Sequence, residues 1–212
     1  MTTIDTTGIV AMFARVSDAI EAEKDRLCAL DGVIGDADHG IAMSEGFLAV
    51  RAALGALDAS TADPTAAFNA AAKSFLNAVG ASSGPLYATA FMRAGAAVKG
   101  KAVLSEADFV AAFQAMSKGI QDRGKAEPGE KTMVDAWVPA AEAAGAAQSA
   151  GRPLSEVLDV AAKAAAVGTE ATKQMIAGKG RSSRLGERAL GHVDPGAESA
   201  TIVIAAMRDA LG

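Results

Sequence analysis

A chain of 212 residues with a net charge of −5 and a pI near 5.1 has room for one substantial core and offers no basic face for a phosphate backbone, which argues against nucleic acid as its main partner. Half of its residues are hydrophobic but only 4% are aromatic, and much of the apolar content is Ala, a composition for closely packed helices rather than sheets. The single cysteine, Cys28, rules out an internal disulfide, and the amino terminus lacks the basic-then-apolar pattern of a signal peptide, so one all-α, cytoplasmic domain spanning 1–212 is expected.

The first helix should run from Thr6 or Thr7 to about Ala29, with Ile9, Met12, Phe13, Val16, Ile20 and Leu27 recurring at helical spacing. A loop from Leu30 to Gly40 follows, carrying Asp31, Asp36, Asp38 and His39 between glycines. Carboxylates on a loop free to curl around a point are what a hard divalent cation such as Mg2+ requires. One Asp would serve as a helix cap, but three with a histidine exceed what a cap needs. An EF-hand does not fit: its glycine is out of place, and Phe47 stands where the bidentate Glu belongs.

The second helix, from Gly40, carries Phe47, Val50 and Leu54 and stops at Gly55. Asp63 as cap and Pro64 at the first helical position open the third, which runs to Val79. The turn Gly80-Ala81-Ser82-Ser83-Gly84 opens the fourth, with Tyr87, Phe91 and Met92, and Ser105-Glu106-Ala107-Asp108 the fifth, to Ile120. A polar loop, Arg123 to Thr132, leads to the sixth helix, which tolerates Pro139 only at a kink. The seventh runs from Leu154 to about Ala177. The longest irregular stretch, Gly178–Gly196, precedes an eighth with Ile202, Val203, Ile204 and Met207; loops of this length are usually functional.

If eight helices alternate up and down, as short connections favour, every odd-numbered loop lies at one end. Those loops are Leu30–Gly40, Val79–Gly84, Arg123–Lys131 and Gly178–Gly196, and they hold both histidines, the Asp triplet, the Gly-Ser turn and the Lys/Arg-rich segments. Chemistry should therefore gather at one end of a helical bundle or barrel. The Gly-Ser turn is suited to phosphate, or else is an ordinary cap. The stretch Gly124–Thr132 approaches a P-loop but has one residue too many between Gly129 and Lys131, and no strand precedes it. Arg181 could meet a phosphate and His39 a transferring group.

Four motifs in order, Ile34–Gly40, Gly80–Tyr87, Ala126–Met133 and Gly180–Ala197, together resemble the nucleotide-binding L subunit of dihydroxyacetone kinase over nearly the whole chain. The resemblance implies an antiparallel eight-helix barrel that binds ADP or ATP at one end through two Mg2+ ions. It assigns Asp31, Asp36 and Asp38 to the metals. It assigns His39, Gly40, Ile41, Ala42, Ser82, Ser83, Gly124, Met133, Arg181, Asp194, Pro195 and Gly196 to the nucleotide, with His39 and Arg181 nearest the chemistry. The chain departs from the family at Ala88, where Gly is common, and at Glu130, where Asp is common.

The hydroxyketone would be held covalently, through a histidine, on a separate K subunit. In the phosphotransferase-linked branch ADP is a fixed cofactor recharged by a phosphohistidine carrier, the M subunit; in the other branch ATP is an ordinary substrate. A free-standing chain favours the first. Contact with a transcriptional activator is a further alternative, homodimer formation is left open, and neither nucleic acid nor membrane is expected as a partner.

Overall fold

The apolar positions read from the sequence build a closed ring of helices. The computed structural model describes residues 3–212, and nine α-helices are found among the described residues: α1 (Thr6–Ala22), α2 (Lys24–Ile34), α3 (His39–Gly55), α4 (Pro64–Ala78), α5 (Ser83–Ala97), α6 (Glu106–Gly124), α7 (Val134–Ser149), α8 (Leu154–Ala171) and α9 (Pro195–Leu211). Consecutive helices from α3 to α9 pack side by side, and α1 closes the ring by packing on both α3 and α9. The α2 helix leans on the same two neighbours, so α1 and α2 form one broken stave of an eight-stave barrel. The break, not foreseen as such, is at Glu23, where the backbone (φ −103°, ψ 4°) leaves the helical well. Beyond it α2 continues to Ile34, so Asp31 sits in the last turn of a helix and the loop shrinks to Gly35–Asp38.

Large side chains fill the interior. Phe13 meets Phe91 edge-on with ring centroids 5.1 Å apart, Phe47 meets Phe75 likewise at 5.1 Å, and Trp137 lies 5.4 Å from Phe113; all six are fully buried. Such pairs add specific geometry to the area they bury. Small residues let the staves approach. A Cβ on Gly46 would clash with the edge of the Phe75 ring, 2.7 Å from Cζ. Pro139 lacks an N–H for the Asp135 carbonyl one turn back in α7, and Gly168 of α8 packs directly on that carbonyl. Gly46→Ala should therefore cost about 1–3 kcal/mol by overpacking, read as a fall in Tm of several degrees; an unchanged Tm would mean that α3 and α4 are not held this closely.

The alternation expected from the short connections is realised: the loops entering α3, α5, α7 and α9 all contribute to one cavity. The α8 helix stops at Ala171, earlier than its pattern suggested, and passes into a 3-10 turn at Thr172–Gln174. The Gly178–Gly196 stretch is not irregular throughout: residues Arg181–Ala189 form 3-10 turns interrupted at Gly186, whose φ of 56° suits glycine. No helix among the described residues is long and apolar enough to cross a membrane.

Candidate functional site

Three carboxylates are drawn together by local backbone geometry. Asp31 projects from the last turn of α2, and its Oδ2 accepts the N–H groups of Asp38 (3.1 Å) and His39 (3.3 Å). The carboxylate that ends one helix thus orders the start of the next. A Cβ on Gly35 would overlap Asp31 Oδ1, so this position demands glycine. Ala37 adopts a left-handed conformation, φ 64°, a strained choice for a residue with a Cβ that turns the chain between Asp36 and Asp38. Carboxylate oxygens of Asp31, Asp36 and Asp38 lie within 4.8 Å of one another. Three hard, anionic donors this close repel unless a cation is shared, and an oxygen-only set suits Mg2+.

The cluster forms one wall of a cavity of about 700 Å³, within the size range of small-molecule sites. The helices α3, α5, α7 and α9 all begin at this end, so four helix amino termini with their positive dipole ends converge on it. The site is therefore bipartite: carboxylates for a cation, helix termini for an anion. Arg181 reaches in from the 3-10 segment and pairs with Asp36. A guanidinium that touches a candidate metal ligand is within reach of any phosphate carried on that metal.

A DAK2 domain model matches residues 33–209. The chain belongs to the DAK2-domain family. It is 39% identical over 195 residues to the ADP-binding subunit DhaL of the PEP-dependent dihydroxyacetone kinase of Escherichia coli (strain K12), covering 91% of each chain. It is 34% identical over 200 residues to the ADP-binding subunit DhaL of the PTS-dependent dihydroxyacetone kinase of Lactococcus lactis subsp. lactis (strain IL1403), covering 94% of this chain and 93% of that one. In fold it matches the dihydroxyacetone kinase of C. freundii, crystallised with AMP-PNP and Mg2+, with a TM-score of 0.74 at 24% identity; the match covers 95% of this chain but a third (33%) of that one.

Of the residues singled out from the sequence, Asp31, Asp36, Asp38, His39, Ala42, Ser82, Ser83, Gly124, Met133, Arg181, Asp194, Pro195 and Gly196 all line the cavity. Gly40 and Ile41 do not. Gly40 packs tightly under α2, where a Cβ would overlap the Lys24 carbonyl and come within 2.8 Å of Cys28 Sγ, and Ile41 is 49% exposed. The His39 ring is engaged on the protein side: Nε2 lies 2.8 Å from Ser199 Oγ, and the Pro195 carbonyl accepts a ring N–H. Desolvation lowers its pKa, outweighing the nearby Asp31 carboxylate and the Pro195 bond. The ring thus serves first as a strut between α3 and α9 rather than as a group free to meet a transferring phosphoryl.

Several lining or supporting residues were not singled out from the sequence, among them three polar ones. Arg123 and Lys131 line the cavity, and Ser199, fully buried in α9, holds His39. A basic residue in a loop and a serine in a helix carry no local signal that distinguishes them. Asp194 also does more than its position suggested. Its Oδ2 caps α9 by accepting the Ala197 N–H at 2.8 Å, and burial raises its pKa to about 7 despite that bond and nearby Lys131, with Asp135 and Asp31 adding to the rise.

A raised carboxyl pKa means that folding favours the protonated form, so the associated stability is present below the unfolded pKa, near 3.8, and is lost as pH climbs through about 7. Asn at 194 remains neutral and can still cap. Across pH 4 to 7, metal-free wild type should lose stability relative to Asp194→Asn, by at most about 4 kcal/mol at about 1.4 kcal/mol per unit. Urea unfolding at both pH values reads this, and a difference independent of pH would show that Asp194 is ionised throughout.

Proposed function

We propose that this chain is the nucleotide-binding subunit of a dihydroxyacetone-type kinase, holding ADP with Mg2+ and passing a phosphoryl group to a hydroxyketone presented by a separate K subunit. The observation that carries this reading is the Asp31–Asp36–Asp38 cluster sharing one cavity with four helix amino termini. The DhaL names of relatives that match over nine-tenths of the chain support it.

Asp31, Asp36 and Asp38 would hold two Mg2+ ions, which supply neutralisation of phosphate charge. Ser82 and Ser83, at the start of α5, offer hydroxyl and amide donors to phosphate oxygens, and Arg181 adds a fixed positive charge over them. In the same cavity Leu86, beside Gly124, and Ile120 and Met133 give an apolar surface, suited to the face of a base. The protein's work is then positioning and electrostatic stabilisation, as phosphoryl transfer requires. The acceptor hydroxyl must arrive at this same end, so the rim formed by the four loops is the docking face for the K subunit.

The PEP- and PTS-dependent names of the relatives favour ADP as a retained cofactor, recharged by a phosphohistidine carrier subunit in the cytoplasm. Native mass spectrometry of freshly purified protein tests this. A bound mass of one ADP plus two magnesium ions is expected; an empty protein that binds ATP reversibly would instead favour ATP as a substrate.

A further inference from the structure

Lys131 is only 1% exposed and sits in a left-handed backbone conformation, φ 58°, a combination that must be held in place by its surroundings. Its ammonium donates to the Thr172 carbonyl at 2.6 Å and the His192 carbonyl at 2.5 Å, with the carboxylates of Asp194 and Asp135 close enough to act on it. Thr172 caps the carboxyl end of α8, where a cation complements the helix dipole, and its Oγ1 accepts the Asp194 N–H at 3.0 Å. The neighbouring Glu130 holds the other foot of the same segment: its carbonyl accepts the Gly178 N–H at 2.9 Å, and its carboxylate lies 3.7 Å from Lys179 Nζ. A further bond, Gly191 N–H to the Lys173 carbonyl at 2.7 Å, closes the base. The dipeptide 130–131 therefore stakes down both ends of the stretch that carries Arg181.

We propose that Lys131 is a positioning residue that fixes Arg181 over the cavity by tying the exit of the 178–194 segment to the carboxyl end of α8. This rests on the phosphate role assigned to Arg181 in the proposed function. Met at 131 keeps the apolar stem and length but removes three N–H donors and the charge. The two carbonyls are then left without their shared donor, the exit foot loosens, and Arg181 samples positions away from the phosphates.

The segment carries its own reporters, since trypsin can cut after Lys179, Arg181, Arg184 and Arg188. In the nucleotide-free full chain, Lys131→Met should raise cleavage there at least tenfold while changing cleavage after Lys73 and Lys163, in α4 and α8, less than twofold. It should weaken Mg-ADP binding about tenfold in the wild-type background, yet less than threefold in an Arg181→Ala background, because the two residues act through one another. Equal weakening in both backgrounds, or unchanged cleavage of the segment, would overturn the proposal. If the Met variant does not fold, the wild type still decides: NMR of 15N-lysine-labelled protein should show one ammonium, removed in Lys131→Arg, whose protons exchange far more slowly than those of exposed lysines, and its absence would overturn the proposal. Wild type that fails to bind Mg-ADP would defeat the proposed function, while the cleavage and exchange measurements would still judge Lys131.

Discussion

Asp36→Asn and Asp38→Asn should each weaken Mg-ADP binding about 100-fold or more, equivalent to about 2.7 kcal/mol, while leaving the helical circular dichroism unchanged. Asn keeps the shape of the side chain but removes one of the negative charges that oppose metal and phosphate, and its amide is a poorer ligand for a hard cation. The fold should tolerate both changes because the two residues are exposed and the Asp38 side chain makes no capping bond to α3. Asp31→Asn differs: Asp31 is 8% exposed and accepts two backbone N–H groups, so the loop itself should loosen along with the metal site. Isothermal calorimetry in Mg2+, repeated with EDTA, separates these effects. Tight Mg-dependent binding by either of the first two variants would mean that the cation is held elsewhere.

The second large effect is expected at Arg181. Its guanidinium pairs with Asp36, so the arginine occupies part of the charge that a metal would claim, and under the proposed function metal binding should release it toward the phosphates. Removing a donor aimed at developing charge typically costs 100- to 1,000-fold in rate. Arg181→Ala, assayed with a K subunit present, should lose about 100-fold in phosphoryl transfer with a smaller, roughly tenfold loss in Mg-ADP affinity. Lys should recover little of the rate, because a point charge cannot replace the planar fork. Loss of affinity without loss of rate at saturating nucleotide would make Arg181 a binding residue only.

The architecture was legible because it depends on punctuation. Glycines, prolines and capping residues mark the stave ends, Asp63-Pro64 and Ser105–Asp108 among them, and both caps form as read. Counting the connections then places Asp36, Ser82, Met133 and Arg181 at one end before any distance is known, and all four line the cavity. What was not legible depends on contacts between staves. The break at Glu23 has no Gly or Pro to announce it, and Asp31 reads as a loop residue although it closes a helix. The left-handed backbones of Ala37, Lys125 and Lys131 all lie in the cavity loops, yet none is a residue type that signals such a conformation. His39 shows the same limit: its identity points to chemistry, whereas its partners, Ser199 and Pro195, are more than 150 residues away in sequence and turn the ring into the wall.

The most direct test of the central claim is the formation of triose phosphate from dihydroxyacetone by the purified 212-residue chain, with and without a K subunit and the phosphocarrier or ATP as donor. Mg-nucleotide binding without turnover is expected from the chain alone, turnover is expected once the K subunit is added, and charge-reversing substitutions on the rim away from the nucleotide should weaken the complex without weakening nucleotide binding. Robust phosphorylation of dihydroxyacetone by this chain alone would contradict the account.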